Sequence, residues 1–152
     1  MNLQSFPVES TKLFLADLSP EFAELEGEVP VDDRVWIVAR QATQADNMSR
    51  ADMYTKREVK YGTDTSGSFD SVSRVYNENA LRRHMFEVFL TLKDIGNLKD
   101  GDKNVFPKMP AKDIKRSEFE AIWGNLHPTV ATAIHLACMQ QNPDWVLDRQ
   151  GE

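Results

Sequence analysis

The spacing of hydrophobic positions changes several times along the chain, and each change marks an element. "RVWIVAR" (Arg34 to Arg40) is short, rich in Val, Ile and Trp, and bounded by an Asp pair and a polar run. That composition predicts a strand. Trp36 and Val38 share one of its faces, Val35 and Ile37 the other, so few positions are left to solvent alone. Ahead of it, Ser19 is a good N-cap, Pro20 suits a first helical position and Gly27 a stop. They predict a short helix in which Phe22 and Leu25, three apart, cover the core. Leu13 to Leu15 are a compact apolar group that can form a strand before it.

From Thr43 the period becomes helical. Thr43 and Asp46 fit an N-terminal capping arrangement. Ala45, Met48, Ala51 (or Asp52), Met53 and Tyr54 then make a modest stripe running to about Val59, with Gly62 as its end. "YGTDTSGSFD" (61–70) is dense in Gly, Ser, Thr and Asp and reads as a flexible loop. Ser71 to Tyr76 is a strand candidate. Ala80 to Ile95 fits both templates: Phe86, Val88 and Leu90 alternate, while Leu81, Met85, Val88, Phe89 and Leu92 make a helical stripe. A helix from near Asn79, with strand character from Val88 onward, accommodates both.

The C-terminal third is helical. Ser117 and Glu120 have capping-box spacing, followed by an apolar face of Phe119, Ile122 and Trp123 and a stop at Gly124. A longer helix opens near Pro128 and stacks Val130, Ile134, Ala137 and Cys138 on one face. Asn142 and Pro143 end it, and Trp145 can fold back on its end. The expected fold is therefore α+β: a helix-rich single domain with a small β-sheet or hairpin and C-terminal helices. It divides into an acidic segment with a short helix (1–33), a main globular part (34–145) and a tail (146–152).

Charge sharpens this division. The net charge is −6, and residues 1–33 hold eight acids against Lys12, which is −7, so the remainder carries +1. No basic stripe marks a nucleic-acid track. "KDIKR" (112–116) and Arg82–Arg83 are small solvated patches. No apolar run approaches the length of a membrane helix, and no basic-then-apolar leader is visible. Cys138 is the only cysteine, so no internal disulfide forms, which suits a cytosolic protein.

Candidate chemistry is sparse. "LKDGDKNVFP" (98–107) places Asp100, Asp102 and Asn104 at alternate positions, as a calcium loop does. Counted from Asp100, the required glycine is Val105 and the required glutamate is Ala111, so the stretch reads as a turn around Gly101. His135 and Cys138 stand i,i+3 and could share a zinc ion, but no further ligands accompany them. With no nucleotide-binding glycine loop and no nucleophile–base pairing, the expectation is a protein without enzymatic activity, metal or cofactor. Tryptophan is enriched where proteins meet. Trp36, Trp123 and Trp145, with Val130 and Ile134 on the apolar helix face, are the candidate partner contacts.

The order of these motifs resembles the tail assembly chaperones of long-tailed bacteriophages. The residues that carry the likeness are "VWIVAR", the capped helix start "TQAD", the Asp100-Gly101-Asp102 turn before Val105 and Phe106, and the helix start Leu126-His127-Pro128. They lie within residues 31–143. The resemblance implies a non-enzymatic protein of the host bacterial cytoplasm. It would bind the tape measure protein, a long, helical and apolar chain, and keep it soluble while tail tube subunits polymerise. Contact with the tail tube protein and self-association are further implied partners; nucleic acid and membrane are not. Two other readings fit the composition: a small acidic inhibitor or DNA mimic, from the carboxylates of residues 9–33, and a minor virion connector protein.

Overall fold

The computed structural model describes residues 12–62, 69–106 and 114–150. The elements run β1 (Leu13–Phe14), α1 (Leu15–Leu18), α2 (Pro20–Glu26), a 3-10 turn (Val31–Asp33), β2 (Trp36–Ala39), α3 (Gln44–Gly62) and α4 (Phe69–Thr91). β3 (Leu92–Gly96), β4 (Lys99–Asp100), β5 (Lys103–Asn104), α5 (Arg116–Gly124), α6 (Pro128–Gln140) and α7 (Pro143–Gln150) follow. The fold is α+β and helix-rich, with a small antiparallel sheet, as the hydrophobic pattern predicts.

The sheet has the order β1-β2-β3, with Ile37 facing Leu13 on one side and Ile95 on the other. Val38 pairs with Asp94 but Ala39 with Leu92, so Lys93 is an extra, exposed residue on β3. This bulge lets Leu92 and Ile95, three apart, both face the core, which a regular strand of period two forbids. Trp36 pairs with Gly96, and its indole lies where a Cβ on Gly96 would sit. Asn97 has φ 66, and its side-chain amide donates to the carbonyls of Asp32 and Arg34.

α6 lies at the centre, packed on β2, α1, α2, α4 and α7. Ala133 and Ala137 are fully buried, and their small side chains permit that many close neighbours. Ile134 and Cys138 join them in a core with Leu15, Phe22, Ile37 and Val88. Val130 is buried too, while Ile122 and Trp123 are half-buried and pack against its edge. The acidic N-terminal segment is thus part of the domain from Leu13 onward, not an appendage.

Helix ends follow local chemistry. Ser19 caps α2 by accepting from the Phe22 amide at 3.1 Å. Thr43 and Asp46 cap α3 reciprocally: the Asp46 carboxylate accepts from the Thr43 amide at 2.8 Å, and the Thr43 hydroxyl from the Asp46 amide at 3.3 Å. Gly101 has φ 64 at the first position of the two-residue β4–β5 turn, where a positive φ suits a II′ hairpin. The "DG" stretch is that hairpin.

Several expectations are corrected. Ser117 does not cap α5, because that helix already begins at Arg116 and Glu120 pairs back to Arg116 at 3.2 Å. Leu25 is 51% exposed, and of the expected pair only Phe22 is turned into the core. Ser71 to Tyr76 are helical, part of an α4 that starts ten residues before Asn79 and turns to strand only at Leu92. Of the expected loop 61–70, the backbone of residues 61–62 ends α3 and that of 69–70 begins α4, while 63–68 lie outside the described residues. The expected tail continues as α7 to Gln150. Most consequential is α3: Ala45, Met48 and Ala51 face solvent, and the buried face presents Asp46 and Arg50.

Candidate functional site

That inverted helix delivers a guanidinium to the protein interior. Arg50 is 7% exposed and meets Glu87 of α4, which is 1% exposed. The Arg50 Nε donates to Glu87 Oε2 at 3.0 Å, and Nη2 donates to the Trp145 carbonyl of α7 at 3.1 Å. The guanidinium also stands over the Trp145 ring, 4.9 Å from its centroid. Glu87 Oε1 lies 3.2 Å from Nε2 of His135, on α6. An ionised carboxylate only accepts, so Nε2 carries the proton and donates. His135 stacks on His84 of α4, with ring centroids 3.9 Å apart and planes at 15°.

Three helices, α3, α4 and α6, therefore meet at one carboxylate, and α7 joins them through Arg50. Burial, and then the nearby charge of Arg50, push the His135 pKa down to about 4, so its imidazole is neutral at pH 7. Arg40 and Asp46 form a second pair next to this network, bonded through both oxygens at 2.7 and 3.1 Å. Burial alone would raise the Asp46 carboxyl, but the bonds from Arg40 and Thr43 outweigh it and hold it below the usual aspartate value. Asn142 locks the same region: its side chain accepts from the Ala42 amide at 2.8 Å and donates to the Arg40 and Cys138 carbonyls. Trp145 Nε1 donates to Asn47 Oδ1 at 2.8 Å.

His84 reaches from this network to a surface cleft between α4, α5 and α6. The cleft has a volume of about 540 Å³ and is lined by Leu81, Met85, Trp123, Pro128 and Ala131 as well as His84. Its lining is largely apolar, and Leu81 at its rim is 66% exposed.

Of the five residues singled out from sequence as partner contacts, Trp123 lines this cleft. Trp36 is half-buried against Gly96 on the sheet, with Lys12 Nζ 4.2 Å over its ring. Val130, Ile134 and Trp145 are buried in the core, where they pack other helices. Among the described residues, the group of potential metal ligands that includes His135 is completed by His84 and Glu87 and does not contain Cys138. The Cys138 thiol is fully buried against Thr91, and burial pushes its pKa up to about 12, with the Thr91 bond acting weakly the other way. It is no nucleophile at neutral pH. Sequence reasoning missed Arg50, His84 and Glu87. Their signals were an Arg four residues after Asp46, and a histidine and a glutamate at i,i+3, in segments where the period was ambiguous.

Among the described residues no helix is long and apolar enough to cross a membrane. No family model, curated protein or solved structure matches the chain.

Proposed function

We propose that the chain is a non-enzymatic binding protein of the phage tail assembly chaperone type. It takes apolar helical stretches of the tape measure protein into the α4–α5–α6 cleft and keeps that chain soluble in the host cytoplasm during tail tube assembly. The observation that carries this reading is the open apolar cleft with Leu81 at its rim, together with the motif-level resemblance of residues 31–143. A helix laid into such a groove anchors side chains at i, i+3 or i+4, and a cleft of this volume accepts such anchors. The buried Arg50–Glu87–His135 network serves the scaffold by fixing the register of the helices that form the groove walls.

One observation favours a second reading, an acidic inhibitor that mimics a polyanion: Asp17, Glu21, Glu24, Glu28, Asp32 and Asp33 are all exposed. Part of that charge is engaged internally. Asp17 accepts from Arg34 at 2.7 Å, and Glu26, turned inward, accepts from the Val35 amide. This reading ranks second.

Co-expression with a tape measure protein tests the first. The parent protein keeps the long chain soluble, and Leu81→Asp, at an exposed position that leaves the fold intact, lets it aggregate. Aggregation in the presence of the parent, or full protection by Leu81→Asp, would remove the cleft from the account.

A further inference from the structure

We propose that His84, Glu87 and His135 form a binding site for a divalent transition-metal ion of the zinc class. The donor set is two imidazoles and one carboxylate, the nitrogen–oxygen mixture that borderline divalent ions such as zinc take. One ligand atom from each residue already lies within 4.8 Å of the others. One edge of the site has coordination spacing as it stands: His135 Nε2 and Glu87 Oε1 are 3.2 Å apart. Two ligands of a tetrahedral zinc, with bonds of about 2.0–2.1 Å, are separated by roughly 3.3 Å. An ion between them replaces the proton of that hydrogen bond, which moves to the other ring nitrogen of His135.

His84 must move for the set to close. In the face-to-face stack with His135 the nitrogen lone pairs lie in nearly parallel planes and do not converge on a point. A turn of the His84 ring with an approach of up to about 1.5 Å brings its nitrogen to the spacing of a zinc ligand. His84 is the half-buried member of the set and lines the cleft. The other two ligands are rigid. Arg50 holds Glu87 by Oε2, the outer-shell hydrogen bond that orients ligating carboxylates, while Oε1 is the atom that faces His135. The Arg50 charge also opposes a cation nearby. Glu87 offsets one positive charge of the three, so the fourth coordination position, beside the cleft, favours an anionic ligand such as hydroxide or a carboxylate.

The test uses the full chain, freed of metal by chelator and dialysed. Zinc is titrated by calorimetry, and cobalt(II) is followed by its visible absorption, which reports coordination number and nitrogen–oxygen ligation. The expected result is one ion per chain, with affinity lowered at least about 100-fold in His84→Ala and His135→Gln. Cys138→Ala and His127→Ala, which change the remaining soft ligand and an exposed imidazole, leave affinity unchanged. Because His135→Gln alters the core, His84→Ala at the half-buried rim decides the matter, its fold checked by circular dichroism. Absence of saturable zinc binding in the parent, or affinity retained in a folded His84→Ala, overturns the proposal. Neither result involves a partner protein, so the site stands or falls independently of the cleft's occupant.

Discussion

Replacing Arg50 by Met removes the cation from a carboxylate that is 1% exposed. Glu87 keeps its bond to His135, an imidazole that is neutral at pH 7. Breaking a buried pair from one side costs about 3–5 kcal/mol, because the buried carboxylate loses the cationic donor that stands 3.0 Å from it. The variant also loses the bond to the Trp145 carbonyl, which loosens α7. For a chain of this length such a loss lowers Tm by roughly 6–20 °C. Glu87→Met is costly for the mirror-image reason. The double variant Arg50→Met/Glu87→Met leaves no charge stranded, so its cost falls well below the sum of the two singles. Chemical denaturation of the four proteins measures this cycle directly. If Arg50→Met costs less than about 1 kcal/mol, the value of an exposed ion pair, the carboxylate is not buried with that partner and the account of the network fails.

Ile134→Asp places an unpaired charge at a fully buried position and abolishes cooperative unfolding or lowers its midpoint severely; an unchanged midpoint would refute the α6 face. Gly96→Ala forces the Trp36 indole off β3, so tryptophan fluorescence shifts toward the exposed spectrum and stability drops, whereas a silent variant contradicts the close approach. Acid destabilises the metal-free protein: the folded His135 binds its proton only near pH 4 and the unfolded one near 6.5, so between them the unfolded state holds more protons and stability falls as pH drops. Asp46, held low in the fold, adds to the loss near and below its ordinary value of 3.8. A His135→Gln variant has a flatter Tm–pH slope from 6.5 to 4, and an identical slope would show that another group dominates.

The sequence made the apolar elements legible and hid the polar interior. β2, α2 and α6 follow from local signals that agree with burial: Val and Ile clustering, Ser19 and Pro20, and a four-residue stack on Val130 and Ile134. α3 misled because Ala45, Met48 and Ala51 face solvent while Asp46 and Arg50 turn inward. Hydrophobic periodicity cannot find a face that is buried through ion pairing, since its partner Glu87 is 37 residues away. The segment 80–95 was ambiguous for a physical reason: one apolar-rich stretch with no Gly or Pro to punctuate it serves first as helix and then, from Leu92, as strand. The Lys93 bulge disguised the strand by breaking its alternation. His84 and Glu87 stand i,i+3 on α4, but His135 joins them only through the packing of α4 on α6, which no spacing along the chain reveals.

The central claim, that the cleft receives an apolar helix, is tested most directly by titrating the purified chain with the tape measure chain at low and high salt. Burial of apolar surface is not screened, so the account predicts an affinity that holds or strengthens as salt rises, and that Leu81→Asp abolishes at both. An affinity that falls steeply with salt and ignores Leu81→Asp would contradict it, and would assign binding to the exposed carboxylates of Asp17 to Asp33 instead.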